Sequence, residues 1–132
     1  AGGHLALWLA ATSTQRKLVG ALGMAPVADL RCADELNLGN GALDLFLGAH
    51  RERLAALDPA QLPRSLRTVT IVHGETDESV PVAVSQAYLS VHPATRLRSL
   101  PGAGHFDLID PQAEAWHAVI EELARLAERR TS

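Results

Sequence analysis

The amino-acid sequence predicts an α/β protein in which a parallel sheet carries helices on both faces. Short runs of apolar and β-branched residues alternate with longer segments that have helical periodicity. The predicted order is helix, strand, irregular helical segment, strand, helix, strand, helix. Such alternation favours parallel strands joined by right-handed crossovers, with helices packed against each side. Because three strands make a narrow sheet, we expect one of its margins to be unpaired within this chain.

The first half of the chain contains the first helix and the first strand. Residues 3–11 are apolar around almost the whole helix, which predicts that it is covered on most sides. Residues 18–25 form the first strand candidate, and Asp29 beyond it is expected to cap or brace a loop. Residues 34–63 predict an irregular helical segment, in which Asn40 could cap a short helix.

The central element is the segment 68–81, TVTIVHGETDESVP. Its unbroken apolar and β-branched start, residues 68–72, predicts a buried strand of a parallel sheet. A polar loop follows this strand. Because ligands of open α/β sheets lie beyond the carboxyl ends of the strands, Asp77 in this loop is the first candidate for a catalytic carboxylate. We expect its neighbours Glu75 and Glu78 to be solvated.

A helix and a short strand follow this loop. Apolar residues with the spacing i, i+3, i+4, i+7 predict one buried helical face, formed by Val84, Ala87, Tyr88 and Val91. Residues 96–100 predict the third strand. Arg96 and Arg98 project to the same side of it, and this suits an edge position.

The last helix is predicted to begin at Asp110, with Pro111 at its first position. Its apolar stripe consists of Trp116, Val119, Ile120, Leu123, Leu126 and Ala127. We expect the charged residues opposite this stripe to form a solvated face: Glu114, Glu121, Glu122, Arg125, Glu128 and Arg129. Within that face Glu121 and Arg125 can pair one helical turn apart.

A second candidate for chemistry lies in the loop after the third strand, where Gly102 and Gly104 bracket the approach to His105. A carboxylate and an imidazole on loops that follow strands can meet above the sheet. There the carboxylate holds the ring in one tautomer and stabilises its protonated form. Asp77 and His105 would supply two thirds of a nucleophilic triad, and a Ser, Cys or Asp on a sharp strand-to-helix turn would complete it.

The other histidines near these loops have simpler roles in this interpretation. We expect His73 to be a hydrogen-bonded packing residue and His4 to support the surrounding loops. One alternative is a metal site formed by His73, Asp77 and His105. The chain lacks a paired histidine spacing such as H-E-x-x-H, so we expect neither a metal nor another cofactor.

Three segments resemble the C-terminal part of serine α/β-hydrolases: AGGHLALWLA at 1–10, HGETDESVP at 73–81 and GAGHFDLIDP at 102–111. They are most similar to esterases and arylformamidases whose nucleophile elbow is G-x-S-A-G-G-H-L-A, with prolyl-oligopeptidase-type domains nearby. The resemblance extends from residue 1 to about residue 127. It implies that Ala1 and Gly2 occupy the last two positions of G-x-S-x-G, so the nucleophilic serine would immediately precede Ala1.

The resemblance implies acyl transfer through a covalent intermediate. His105 would be the general base and acid, Asp77 would orient His105, and the backbone N–H of Ala1 would be one oxyanion-hole donor. The implied substrate is a carboxylic ester or a similar small acyl compound, with a formamide included. Two alternatives stay open, an oligopeptidase-type peptidase and a non-catalytic binding protein of the same fold.

The resemblance also implies that residues 1–132 are the C-terminal portion of a single α/β-hydrolase domain. We expect the natural polypeptide to extend upstream, with strands that complete the sheet and cover the first helix. A cleaved polypeptide, a break at a chemically altered nucleophile or a truncation would each explain a start at Ala1.

The composition of the chain limits the kinds of molecule that we expect it to bind. Hydrophobic residues form 47% of the 132 residues, which argues against disorder, and the net charge of −3 does not point to nucleic acid or an anionic membrane. No run approaches the roughly 20 apolar residues of a membrane span. Cys32 is the only cysteine, which excludes a disulfide framework and mildly favours a cytoplasmic location. We expect a small-molecule substrate, no nucleic acid and no membrane, while the oligomeric state stays open.

Overall fold

The computed structural model describes residues 1–129, which form a three-stranded parallel sheet with helices on both faces. The strands are β1 (Gly20–Met24), β2 (Thr68–Gly74) and β3 (Arg96–Leu100), in the order β1-β2-β3. Thr68 lies opposite Gly20, and Thr70 lies opposite Arg96. The predicted fold class is confirmed, with the apolar strand β2 in the centre and the arginine-bearing strand β3 at an edge.

Residues 1–129 contain six α-helices: α1 (Gly2–Thr12), α2 (Leu30–Glu35), α3 (Ala42–Leu47), α4 (Leu54–Leu57), α5 (Val82–Val91) and α6 (Glu114–Glu128). Three short 3₁₀ turns accompany them: Arg51–Arg53, Pro59–Gln61 and Phe106–Ile109. The predicted irregular segment between β1 and β2 is thus a series of short helices. Arg51 joins two of them, since its guanidinium donates to both Asp34 and Asp44. No helix within this part of the chain is long and apolar enough to cross a bilayer.

The two faces of β2 belong to two separate cores, because successive side chains of a strand point to opposite faces. Val69 and Ile71 pack on the side of α1 and α5, together with Leu7, Ala10, Ala28 and Tyr88. Val72 packs on the other side, together with Ala25, Ala103, Leu108, Ala115 and Val119. Burial on both faces accounts for the unbroken apolar run from which this strand was predicted.

Helix α1 is covered only on one side by residues 1–129. His4, Leu7 and Ala10 are buried, whereas Leu5 and Leu9 are 57% and 48% exposed. The expectation of cover on most sides is therefore not met within these residues.

The N-terminal ends of α2 and α3 can be compared with the capping residues predicted from the sequence. Asp29 caps α2, because its Oδ1 accepts a hydrogen bond of 2.9 Å from the backbone N–H of Cys32. The prediction that Asn40 caps α3 is wrong, since Gly41 holds that position and no side chain caps the helix. Asn40 has a φ of 50°, a left-handed conformation that differs from the extended backbone of a typical N-cap.

The predicted start of α6 at Asp110 is also wrong. The helix begins at Glu114, after Ala113 as the N-cap. The Asp110 carboxylate instead accepts a hydrogen bond of 2.9 Å from the backbone N–H of Gln112, and the Asp110 carbonyl accepts one from Ala113. These bonds form a separate turn, which precedes the helix.

The buried face of α6 is shifted from the predicted stripe and includes a carboxylate. Ala115, Ala118, Val119, Glu122 and Leu126 are buried, whereas the predicted stripe members Ile120 and Leu123 are exposed. Glu122 therefore does not belong to a solvated face.

Two arginines of β3 bind Glu122. Arg96 donates from Nε and Nη2 to its two oxygens, each over 2.9 Å, and Arg98 donates from Nη1 over 3.3 Å. The predicted pair of Glu121 with Arg125 is not the one formed, because Glu121 accepts from Arg98 over 2.7 Å. Arg125 lies 3.5 Å from Glu122 instead. These contacts tie α6 to the edge strand.

Replacing Glu122 with glutamine is expected to lower the free energy of unfolding by about 1.5–3 kcal/mol, because the negative charge is lost and one acceptor oxygen becomes an NH₂ group that faces an arginine N–H. Urea unfolding at neutral pH measures the change. The matched control is Glu121→Gln, which removes an exposed ion pair worth about 0–1 kcal/mol. An equal loss in the two variants would contradict the role of the buried carboxylate.

The same comparison has a defined pH dependence. The hydrogen bond from Arg96 is the largest of the effects that lower the pKa of Glu122 below its usual 4.5. The stability that Glu122 contributes is therefore present above pH 4.5 and is lost as the pH falls through the lowered pKa. The difference between the wild type and Glu122→Gln should shrink over that range.

Candidate active site

Asp77 lies in the loop between β2 and α5, and its side chain has no exposed surface. Its Oδ1 accepts hydrogen bonds of 2.8 Å from the backbone N–H groups of Ser79 and Val80. Its Oδ2 accepts a hydrogen bond of 2.7 Å from Nδ1 of His105. The loop thus fixes one oxygen of the carboxylate and directs the other at the imidazole.

His105 lies in the loop after β3, at the same edge of the sheet as Asp77. Because Asp77 Oδ2 accepts, Nδ1 of His105 carries a proton, and in the neutral imidazole Nε2 then has the lone pair. No group among residues 1–129 is hydrogen-bonded to this Nε2, and the imidazole is 30% exposed. Phe106 contacts the ring edge to face, with the ring centres 5.2 Å apart.

Backbone contacts hold the two loops together. The N–H of Glu75 donates to the carbonyl of Leu100 over 2.9 Å, and the N–H of Thr76 donates to the carbonyl of Ala103 over 3.1 Å. Gly74 lies so close to the Ala103 carbonyl that a Cβ would overlap it. A glycine is therefore required at this point of the strand, and the approach brings Asp77 within reach of His105.

His73 lies behind Asp77 and is fully buried. The Ser85 hydroxyl donates to its Nδ1 over 2.7 Å, and its Nε2–H donates to the Val80 carbonyl over 2.7 Å. Burial lowers the pKa of His73 from its usual 6.5, so the ring is neutral near neutral pH. The predicted role of His73 as a hydrogen-bonded packing residue agrees with these contacts.

The start of α1 and His105 border one cleft of about 310 Å³. Ala1, Gly2 and Gly3 line one part of the cleft, and its other lining residues include Met24 from the end of β1 and His105. Asp77 is buried behind His105. The structure therefore brings together all three of the site residues predicted from the sequence, with Ala1 and His105 at the cleft surface.

Solved structures of other proteins superpose on almost the whole chain. Esterase B from Lactobacillus rhamnosis matches with a TM-score of 0.75 and 20% identity, over 99% of this chain and 52% of that one. The butyrate-bound esterase Est2 of the planctomycete Thermogutta terrifontis matches with a TM-score of 0.63 and 22% identity, over 94% of this chain and 51% of that one.

An alpha/beta hydrolase from the metagenome of sediments of the Mar Chica lagoon, Morocco, matches with a TM-score of 0.63 and 16% identity, over 96% of this chain and 58% of that one. This chain has the α/β-hydrolase fold. It spans about half the length of the solved structures that it matches. No family model matches the chain, and no curated protein sequence does.

In this α/β-hydrolase fold, the remaining candidates of the sequence analysis have structural partners. His4 contacts the Leu57 carbonyl through Nε2 over 2.8 Å, as expected of a loop-supporting residue. Glu75 is exposed and accepts a hydrogen bond of 2.9 Å from the Ser99 hydroxyl. Asp107 accepts from the backbone N–H of Gly104 over 2.8 Å, which braces the loop of His105.

The glycines at the start of α1 differ from one another. A Cβ on Gly3 would lie 2.7 Å from the Cβ of Pro26, so the helix could not pack against the end of β1 with any other residue there. A Cβ on Gly2 would meet nothing within 4 Å. Close packing therefore requires a glycine at position 3 only.

The α/β-hydrolase fold does not assemble the alternative metal site. Among residues 1–129, no group of three histidine, cysteine or carboxylate residues could hold a metal ion. Both ring nitrogens of His73 are used in hydrogen bonds within the protein, which leaves none for a metal.

Two groups that bind Asp77 and one that binds His73 were not identified from the sequence. The N–H groups of Ser79 and Val80 follow Asp77 by two and three residues, a spacing at which an aspartate commonly binds its own backbone, so this signal was present. Ser85 lies twelve residues after His73, and no local pattern links the two.

Proposed function

We propose that this chain supplies the histidine base and the aspartate that orients it in a serine hydrolase that cleaves a carboxylic ester or a similar small acyl substrate. The observation that carries the proposal is the hydrogen bond of 2.7 Å between Asp77 and His105, behind a cleft that the start of α1 also borders. The esterases with the same fold support this class of reaction. Solved forms include one with butyrate bound and one inhibited by a tributyrin phosphonate.

The proposed nucleophile is a serine bonded to the nitrogen of Ala1. Its hydroxyl oxygen attacks the carbonyl carbon while Nε2 of His105 takes the hydroxyl proton. The tetrahedral intermediate then collapses, the bond to the leaving group breaks, and His105 returns the proton to the departing oxygen. Water then attacks the acyl carbon while His105 takes its proton; the bond to the serine oxygen breaks, His105 returns the proton to that oxygen, and the carboxylic acid leaves.

Asp77 stays a carboxylate in this cycle and holds the proton of His105 on Nδ1, so that Nε2 can accept the serine proton. The backbone N–H of Ala1 is proposed as one oxyanion-hole donor. Removal of a single donor of this kind typically lowers turnover by about 10²–10³-fold. The second donor, and the strands that continue the sheet, are proposed to come from the preceding part of the same polypeptide.

The proposal is tested by labelling the full-length protein with a fluorophosphonate, which reacts with activated serines, and locating the adduct by peptide mass spectrometry. We expect a single adduct on the residue before Ala1 and a matching loss of p-nitrophenyl ester hydrolysis. A residue other than serine before Ala1 would contradict the proposal and favour the binding-protein alternative. Hydrolysis that persists after complete labelling would contradict it as well.

The choice among acyl substrates follows from rates on the unlabelled protein. A panel of p-nitrophenyl esters of increasing chain length, an aryl formamide and a peptide amide separates the esterase from the formamidase and oligopeptidase alternatives. We expect the highest kcat/KM with a short ester.

A further inference from the structure

We propose that His73 is a positioning residue that holds the Asp77 carboxylate in the orientation that His105 requires. This inference rests on the proposed function, in which Asp77 and His105 act together. His73 does not border the cleft and touches no reacting atom, so it acts only through its neighbours. Its side chain has no exposed surface, and each ring nitrogen has one partner.

His73 is linked by hydrogen bonds to the turn that binds Asp77. The Nε2–H of His73 donates to the Val80 carbonyl, and the N–H of the same Val80 donates to Asp77 Oδ1. A shift of Val80 therefore moves a donor of the carboxylate. Ser79, the second donor, precedes Val80 directly and moves with it.

The orientation of the His73 imidazole is fixed by Ser85. Ser85 of α5 is buried, and its hydroxyl is 2.7 Å from His73 Nδ1. The Val80 carbonyl can only accept, so the proton of His73 lies on Nε2 and the Ser85 hydroxyl donates to Nδ1. The rigid helix thereby fixes the ring, and the ring fixes the turn.

His73 and Asp77 are not joined by a direct hydrogen bond. Nε2 of His73 lies 3.6 Å from Asp77 Oδ2, which is too long for a hydrogen bond. The same oxygen accepts the proton of His105 over 2.7 Å. His73 therefore leaves Oδ2 to His105 and acts mainly on the opposite oxygen, through Val80.

The experiment compares His73→Phe, which removes both hydrogen bonds, with His73→Gln, whose side-chain amide can still donate to the Val80 carbonyl. The matched control is His92→Phe. His92 is also buried, and its Nε2 contacts a backbone carbonyl, that of Pro59, over 3.1 Å, at the far end of α5. All variants are made in the full-length protein. The readouts are the low-field proton NMR resonance of the Asp77–His105 hydrogen bond, and kcat and KM for a p-nitrophenyl ester.

We expect His73→Phe to lose the low-field resonance and to lower kcat by about 10²-fold, with KM unchanged, as a small misplacement of catalytic groups does. His73→Gln should restore the resonance and most of the rate. His92→Phe should keep both, even where its melting temperature falls as far as that of His73→Phe. This combination separates positioning from a general loss of stability.

The inference is overturned if His73→Phe keeps the resonance and the rate, if His92→Phe loses them equally, or if the glutamine variant behaves like the phenylalanine variant. The NMR readout needs no nucleophile. A full-length protein that hydrolyses neither the esters nor the aryl formamide but loses the resonance in His73→Phe would refute the proposed function and still support the positioning role of His73.

Discussion

His105→Ala is expected to lower kcat for ester hydrolysis by about 10⁶-fold, the size of effect seen when the base of a serine hydrolase is removed. Among residues 1–129, the imidazole is the one group on the cleft surface that is aligned by a buried carboxylate, through the hydrogen bond from Nδ1 to Asp77. Without it, the proposed serine has no proton acceptor. The ring is partly exposed, so its loss should leave the fold intact.

The rate is measured with a p-nitrophenyl ester on the full-length protein, and the fold is checked by circular dichroism and melting temperature. His117→Ala serves as the control, because His117 is an exposed histidine on α6 and does not border the cleft at the start of α1. We expect the control to match the wild type. A His105→Ala variant that kept its rate would show that another residue is the base.

The position of the site could be predicted because it depends on local sequence and on a general property of parallel sheets. Each of the two loops follows a strand, and the carboxyl ends of parallel strands meet at one edge. The register of β2 against β3 places Gly74 opposite Leu100, so the loops that carry Asp77 and His105 start side by side. The placement of both motifs after parallel strands was therefore enough to predict that the two side chains could meet, whereas the register itself is known from the structure.

The features that the sequence did not predict depend on partners distant along the chain. Glu122 has the helical spacing of a buried position, but its side chain is charged. It was therefore predicted to lie on the solvated face. Its burial is possible only because Arg96, 26 residues earlier, donates two hydrogen bonds to it. The role of His73 depends likewise on Ser85, across the interface between β2 and α5.

Helix starts were missed for a different reason. Asp110 has the composition of an N-cap, but its carboxylate can form equivalent hydrogen bonds in a turn outside a helix. Residue type alone does not separate these two uses. At Asp29 the same kind of residue does cap a helix, α2, where its Oδ1 accepts from the backbone N–H of Cys32.

Asp77→Asn is expected to lower kcat by about 10⁴-fold with little change in the melting temperature. Asparagine has the shape of aspartate, and its carbonyl oxygen can still accept from the N–H groups of Ser79 and Val80. Its amide NH₂ group then faces Nδ1 of His105, so the ring must present a lone pair there and carry its proton on Nε2. That tautomer cannot accept the proton of the serine.

The aspartate-to-asparagine change at position 77 should therefore act on turnover and not on folding, which distinguishes it from Asp77→Ala, where the turn of residues 77–80 also loses its acceptor and stability falls. Asp110→Asn is the control, because this carboxylate binds the backbone N–H of Gln112 in an exposed turn. Its kcat should equal that of the wild type. If Asp77→Asn and Asp110→Asn had the same rate, the tautomer of His105 would not depend on Asp77, and the carboxylate would serve only to shape its own loop.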